Sequence, residues 1–269
     1  MDTPSQPTVQ RQPPPTLFPT LPLAPTTVAP APPDIATSVP DTGWLAGGSG
    51  VEVRRIQVGL ADDLPPAPLV VARIDPAATQ LRAIYAPDQP RLLRTWFEEQ
   101  QPIIAINGGF FTEDFRTTAL VISDGAASGE SYAGFGGMLA VAPDGAISIR
   151  PLRDRPYDPN EPLNQAMQSF PMLVMPGGAP APIEDDGARA RRTAVAQDRS
   201  GRLLLIVCPT SGFTLPGLAE WLAASDLDID VALNLDGGSS TGMFVKAGAV
   251  DEQIDSFGPL PLVLLVEPK

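Results

Sequence analysis

The sequence predicts an α+β fold: a mixed, largely antiparallel twisted sheet with few helices, built as a single domain preceded by a disordered tail. Three observations carry that reading. Short apolar runs recur in pairs about glycine-containing turns, as at Asp124-Gly125 and Pro143-Asp144-Gly145, which marks β-hairpins. Helical spacing of apolar residues surfaces in only two places. The opening 48 residues are rich in Pro and Thr, poor in charge and without amphipathic period.

The elements follow in chain order. Residues 1–48 read as a disordered Pro/Thr-rich linker, because proline-rich chains form extended, semi-stiff spacers. Residues 49–269 form the folded domain. Strands are expected over 51–58, 69–74 and 81–85. Residues 91–100 make the first helix: Leu92, Leu93, Trp96 and Phe97 share one face, Pro90 suits its start and Pro102 its end. A strand over 103–106 delivers Asn107. Hairpins span 120–128 and 138–150. The glycine-rich stretch 129–137, with Tyr132 and Phe135, reads either as a loop over a site or as a wide connection. Loops fill 154–163 and 176–186, around a short strand at 172–175. Residues 193–197 turn at Asp198-Arg-Ser-Gly201 and return along 202–208. The second helix spans 214–224: Thr214 caps it, Pro216 lies near its start, and Leu215, Leu218 and Leu222 make its apolar stripe. A strand from Ile229, a turn at Lys246-Ala-Gly248 and a last strand over 260–266 complete the sheet.

Composition excludes several function classes. Hydrophobic residues make up 43% of the 269, enough for a core. The net charge of −13 argues against nucleic acid, which needs a basic footprint, and against an anionic membrane surface. There is no histidine, so Ser-His-Asp and Cys-His catalysis and histidine metal sites are ruled out. The single cysteine, Cys208, sits in the run Leu203-Leu-Leu-Ile-Val-Cys208 and reads as a buried strand residue. No apolar run reaches the roughly 18 residues of a membrane span. The start, Met1-Asp-Thr-Pro-Ser, lacks a basic n-region and an apolar h-region, so no signal peptide is expected.

One stretch concentrates polar chemistry. Ile229, Val231, Leu233 and Leu235 alternate with Asp230, Ala232, Asn234 and Asp236, and the strand then breaks at Gly237-Gly238. Ser239, Ser240 and Thr241 follow. A carboxylate, low-bulk backbone and hydroxyls suit an oxygen-rich ligand. The same residues also suit an ordinary strand-ending turn. A second strand ends alike, in Ile-Ile-Ala-Ile-Asn107-Gly-Gly-Phe-Phe111. Two such ends at one sheet edge would bring Asn107 to Asp236.

Asn107-Gly-Gly-Phe-Phe111, Arg192-Thr193-Ala194 and Asn234-Leu-Asp-Gly-Gly238, in that order, resemble the phosphodiester glycosidase family over residues 51–266. The resemblance implies a hydrolase that cleaves the glycosidic bond of sugar-1-phosphodiesters on extracellular or cell-surface glycans. It implies Asp236 as nucleophile, general base or metal ligand, Arg192 as the phosphate ligand, and Asn107 either as a hydrogen-bond partner of sugar hydroxyls or as an orienting group for Asp236. Gly108, Gly109, Thr193, Asn234, Gly237, Gly238, Ser240 and Thr241 would line the substrate. Glu113 is the first choice for a second carboxylate, with Asp114 beside it. A phosphate leaving group departs with its own charge, so one carboxylate and one arginine can suffice. For Arg192 a surface ion pair stands as an equal reading. Two departures are visible: Ser239 replaces a third glycine, and an Arg-Pro pair appears as Leu260-Pro261, which withdraws any contact made through that arginine.

A divalent cation, Ca²⁺ or Mg²⁺, is a possible companion of phosphate and carboxylates, although no twelve-residue calcium loop is present. The expected partner is a sugar-phosphate or glycan substrate, with oligomeric state open. Two other function classes remain: a non-catalytic glycan- or phosphate-binding module on a stalk, and a metal-dependent phosphoesterase.

Overall fold

The computed structural model describes residues 41–60 and 64–269. The linker expected over residues 1–48 lies outside the described residues up to residue 40. Its last part is not linker: residues 45–48 are a strand.

In chain order the elements are β1 (Leu45–Gly48), β2 (Val51–Val58), β3 (Ala67–Ile74), β4 (Thr79–Tyr85), α1 (Leu93–Gln100), β5 (Ile104–Asn107), β6 (Val121–Ser123), β7 (Ala126–Ser128), β8 (Gly137–Val141) and β9 (Ile147–Pro151). There follow β10 (Gln165–Ser169), β11 (Met172–Met175), β12 (Ala179–Pro180), β13 (Ala190–Asp198), β14 (Leu203–Phe213), α2 (Leu215–Ala224), β15 (Ile229–Asn234), β16 (Met243–Ala247), β17 (Val250–Ile254) and β18 (Leu262–Pro268).

Among the described residues these strands form three sheets. An eight-stranded sheet runs β1-β2-β3-β14-β13-β15-β11-β12, one five-stranded sheet runs β17-β16-β5-β18-β4, and another runs β7-β6-β10-β8-β9. The ladders between their strands are antiparallel, as β13 with β14 and β15, and β5 with β16 and β18. The expected α+β class with few helices is the observed one, although its strands divide among three sheets.

Side-chain alternation sorts the layers. In β15, Val231 and Leu233 enter a core shared with Ile104 and Ile106 of β5 and Leu139 of β8, so all three sheets meet there. The intervening Ala232 faces the other way, into a cluster closed by Leu218 and Leu222 of α2. In β5, Ala105 points outward to Leu93 and Trp96 of α1. The eight-stranded sheet and the five-stranded sheet that contains β5 therefore face each other, each with a helix on its back. The strands that carry the two glycine-glycine motifs lie in different facing sheets, not at one sheet edge.

Both helices begin where the chain prepares them. Thr214 accepts a 3.2 Å hydrogen bond from Gly217 N, the N-cap expected from the sequence. Thr214→Ala should lower stability by about 1 kcal/mol, read as a shifted denaturant midpoint; an unmoved midpoint would remove the cap from the account. The start of α1 has no local cap. Its first amides are taken by Ser256 Oγ, 3.1 Å from Leu93 N, and by Asp255 Oδ1, 3.1 Å from Arg94 N. That bond pair fixes the loop between β17 and β18.

Two strands depart from the apolar pattern. β10 reads Gln-Ala-Met-Gln-Ser yet is buried at the centre of its sheet. Its glutamines are satisfied internally: Gln165 binds Ala83 N and Asp124, and Gln168 binds Tyr132 N and Ser131. β1 exists because Trp44 lies against Arg73, 3.8 Å from guanidinium to ring, and Leu45 packs on the main core.

Candidate functional site

The ends of β5 and β15 come together across the gap between the two facing sheets. Asp236 N donates to Gly108 O at 3.1 Å. Asn107 Nδ2 donates to Asp236 O at 2.7 Å and to Gly108 O at 3.3 Å. Asn107 Oδ1 accepts from Thr193 Oγ1 at 2.9 Å and from Gly242 N at 3.1 Å. Thr193 Oγ1 lies 3.2 Å from the Thr241 hydroxyl. An amide side chain has two donor hydrogens and two acceptor lone pairs, and Asn107 uses all four. It is 1% exposed, and Thr193 and Thr241 are fully buried. Asn107 is therefore a positioning residue that ties the backbone of Asp236 to β5, to β13 through Thr193 and to the segment before β16 through Gly242.

The Asp236 carboxylate stands at the open end of this network. It is half-buried, and its Oδ1 accepts from Gly237 N at 2.9 Å. Burial pushes its carboxyl above the ordinary value, while a Ser240 hydrogen bond and the Gly237 amide draw it back. Ser240 itself closes a short 3-10 turn, Gly238–Ser240. A carboxyl held high by burial is a better proton acceptor than a free one.

The glycines divide by cause. A Cβ on Gly108 would meet Leu262 Cγ at 2.5 Å, and one on Gly237 would meet Arg191 O at 2.8 Å. One on Gly109 would press on Gln168 O at 3.0 Å. These three are small because backbone and core crowd them. Gly238 differs: its φ is +59° and nothing lies within 4 Å of its missing Cβ.

Arg192 stands apart from the network. On β13 it pairs with Cys208, while Thr193 pairs with Val207. Val207 belongs to the inter-sheet core and Cys208 to the cluster under α2, so Arg192 and Thr193 leave opposite faces. Its guanidinium donates to Phe213 O at 3.1 Å and Ala188 O at 2.6 Å. Neither of these is a carboxylate, so the expected surface ion pair is not what holds it. Arg191, two residues before Thr193, is the arginine on the network's side. Its carbonyl abuts Gly237, and its side chain donates to Pro209 O and Asp255 O. A period of two counted back from Thr193 would have singled it out.

Glu113 and Asp114 occupy an exposed turn in which Thr112 N donates to Arg116 O, with no bond to the Asp236 loop among the described residues. Asn234 is buried; it donates to Phe170 O at 2.9 Å, and its Oδ1 has no partner. Among the described residues no group of three or more acidic or Cys side chains converges to hold a metal ion. Cys208 is buried and free, as its apolar run implies. A surface depression of about 550 Å³ is lined by charged residues such as Arg82, Glu267 and Lys269 and includes no residue of this network.

Comparison with known proteins gives this geometry a context. No curated protein sequence matches the chain. Solved structures share the fold. The zebrafish N-acetylglucosamine-1-phosphodiester alpha-N-acetylglucosaminidase catalytic domain, auto-inhibited by its pro-peptide, aligns at 18% identity over 86% of this chain and 89% of that one, with a TM-score of 0.65. A hypothetical protein from Synechocystis aligns at 16% identity over 82% and 62% of the two chains, with a TM-score of 0.56. A Burkholderia pseudomallei protein named as exported aligns at 14% identity over 76% and 74%, with a TM-score of 0.53. At such identities these likenesses speak for the fold alone. The sequence profile of the phosphodiester glycosidase family matches residues 100–266, which span β5, β13, β15 and β18, and the chain belongs to that family.

Proposed function

We propose that the chain hydrolyses the glycosidic bond of sugar-1-phosphodiesters, with Asp236 as the essential carboxylate. The observation that carries the reading is the Asp236 carboxyl itself: half-buried, raised by that burial, and mounted on a buried hydrogen-bond network. Asp236 takes a proton from water as its oxygen attacks the anomeric carbon. The bond from that carbon to the phosphate oxygen breaks, and its electron pair leaves with the phosphate. A phosphomonoester has a second pKa of about 6, so the leaving group needs little protonation near neutral pH. That removes the need for a second carboxyl flanking the bond. Sugar hydroxyls would dock at the open backbone of Gly238, with the buried Ser240 hydroxyl turned to Asp236.

Family membership supports the reaction class, and a substrate on extracellular or cell-surface glycans is part of the same proposal. Any Ca²⁺ or Mg²⁺ would have to be held by Asp236 together with substrate oxygens; activity that survives chelation would exclude that role.

The test is hydrolysis of sugar-1-phosphodiesters in ¹⁸O-water, with NMR of the fresh sugar. Label should enter the sugar and the anomeric configuration should invert, because water attacks in a single displacement. Retention would make Asp236 a nucleophile. Label in the phosphate would mean P–O cleavage, and no turnover on the whole panel would leave a binding module.

A further inference from the structure

We propose that Arg191 is the oxyanion ligand of this site and that Phe257 is the movable ring that covers it. The inference rests on the proposed hydrolysis only for the identity of the anion, a phosphodiester.

Arg191 is 7% exposed on the network side of β13. Its Nε donates to Pro209 O at 3.1 Å and its Nη2 to Asp255 O at 3.0 Å, both uncharged carbonyls. The nearby Asp255 carboxylate is spent elsewhere, on the backbone amide and guanidinium of Arg94. Nη1 is buried and has no hydrogen-bond partner among the described residues. A buried cation with no salt-bridge partner among the described residues and an unused donor is costly, and such a group is ordinarily paired. Burial pushes its guanidinium below the ordinary value, in keeping with that cost. An anion delivered by the substrate would remove it.

The position suits that delivery. The Arg191 carbonyl is in contact with Gly237, the residue after Asp236. The Arg191 guanidinium lies 3.9 Å from the Phe257 ring centroid. That ring is 76% exposed and belongs to none of the hydrophobic clusters. Its backbone is held separately: Phe257 N donates to Ser239 O at 2.7 Å, and Asp255 and Ser256 are fixed at the start of α1. The ring can rotate about its own side-chain bonds without moving the loop. A cation–π contact at an exposed ring is weak beside a charge-assisted bond to phosphate, so phosphate displaces it. Arg192 has no comparable vacancy, because its bonds to Phe213 O and Ala188 O lie on the opposite face.

The experiment is titration of the full chain with inorganic phosphate, by calorimetry and by melting temperature. Wild type should bind phosphate. Arg191→Gln should weaken binding at least tenfold, and Arg191→Lys should recover part of it through charge without the fork. Phe257→Ala, at an exposed side chain, should fold and bind phosphate more tightly. Asp236→Asn should keep binding while losing turnover. No phosphate binding by wild type and Phe257→Ala, or unchanged binding in either Arg191 variant, overturns the proposal and leaves Nη1 to a structural water. If Arg191→Gln does not fold, unchanged or weaker binding by Phe257→Ala overturns it alone. Phosphate binding that depends on Arg191 in a chain inert on every phosphodiester would sink the hydrolase reading and leave this site standing.

Discussion

Asp236→Asn should abolish sugar release while the protein stays folded. Asparagine keeps the shape and can still accept from Gly237 N through its own oxygen, so the turn survives. The network that places the residue acts on the backbone oxygen of Asp236, not on its carboxylate, and is untouched. What is lost is the proton acceptor, worth on the order of 10²–10⁴ in rate for acid–base work and more if the group is a nucleophile. A folded variant with undiminished turnover would reduce Asp236 to a turn residue.

The same substitution has a stability signature with a definite sign. Asp236 has a raised carboxyl in the folded protein, so between its unfolded and folded values the native state binds more protons than the unfolded state. Stability from this group is therefore greatest below the unfolded value and falls as pH rises through the folded value. Asparagine does not titrate. The variant should melt as high as wild type or higher at neutral pH, and that advantage should vanish on acidification below about pH 4. A variant that instead melts lower at neutral pH than at acid pH, relative to wild type, would mean that the carboxylate is held by a cationic partner.

Local chemistry was legible in the sequence, and long-range pairing was not. The two hairpins and the Thr214 cap follow from turn residues and a capping hydroxyl within a few positions of each other. The apolar runs of β5 and β15 were readable as strands, but nothing local says that they lie in facing sheets. Their meeting depends on Asn107 reaching Asp236, 129 residues away. The cap on α1 comes from Asp255 and Ser256 for the same reason and had no local sign. β10 was missed because Gln165 and Gln168 look solvent-facing, and only the fold supplies their partners. The Arg192-Thr193-Ala194 motif points to Arg192, whereas the bonds across to the facing sheet belong to Arg191. A period of two counted back from Thr193 reaches Arg191, and the register shift between Ala190 and Arg192 is a feature of the fold with no local sign in the sequence.

Asn107→Ala should be among the most destabilising single changes in the chain. It deletes both donors and both acceptor sites of a residue that is 1% exposed. Gly242 N, Thr193 Oγ1 and the Asp236 carbonyl lose their partner together, in a space too enclosed for bulk water to replace it. Each buried polar group left unpaired costs about 1–3 kcal/mol, so the loss should reach roughly 3–5 kcal/mol. For a domain of this size that corresponds to a melting temperature lower by about 10 °C. Turnover at a temperature where the variant remains folded should fall as well, because the Asp236 backbone then keeps only its amide bond to Gly108 O as a tie to the end of β5. Asn107→Asp separates the two halves of the interaction. It keeps an acceptor for Thr193 and Gly242 but aims a carboxylate at the carbonyls of Asp236 and Gly108. Burial and those carbonyls should raise its pKa, so this variant should gain stability as pH falls and its proton supplies one missing donor. Melting curves of the two variants across pH make the comparison. A small, pH-independent loss in both would mean that Asn107 is an ordinary turn residue and that the two sheet ends meet without it.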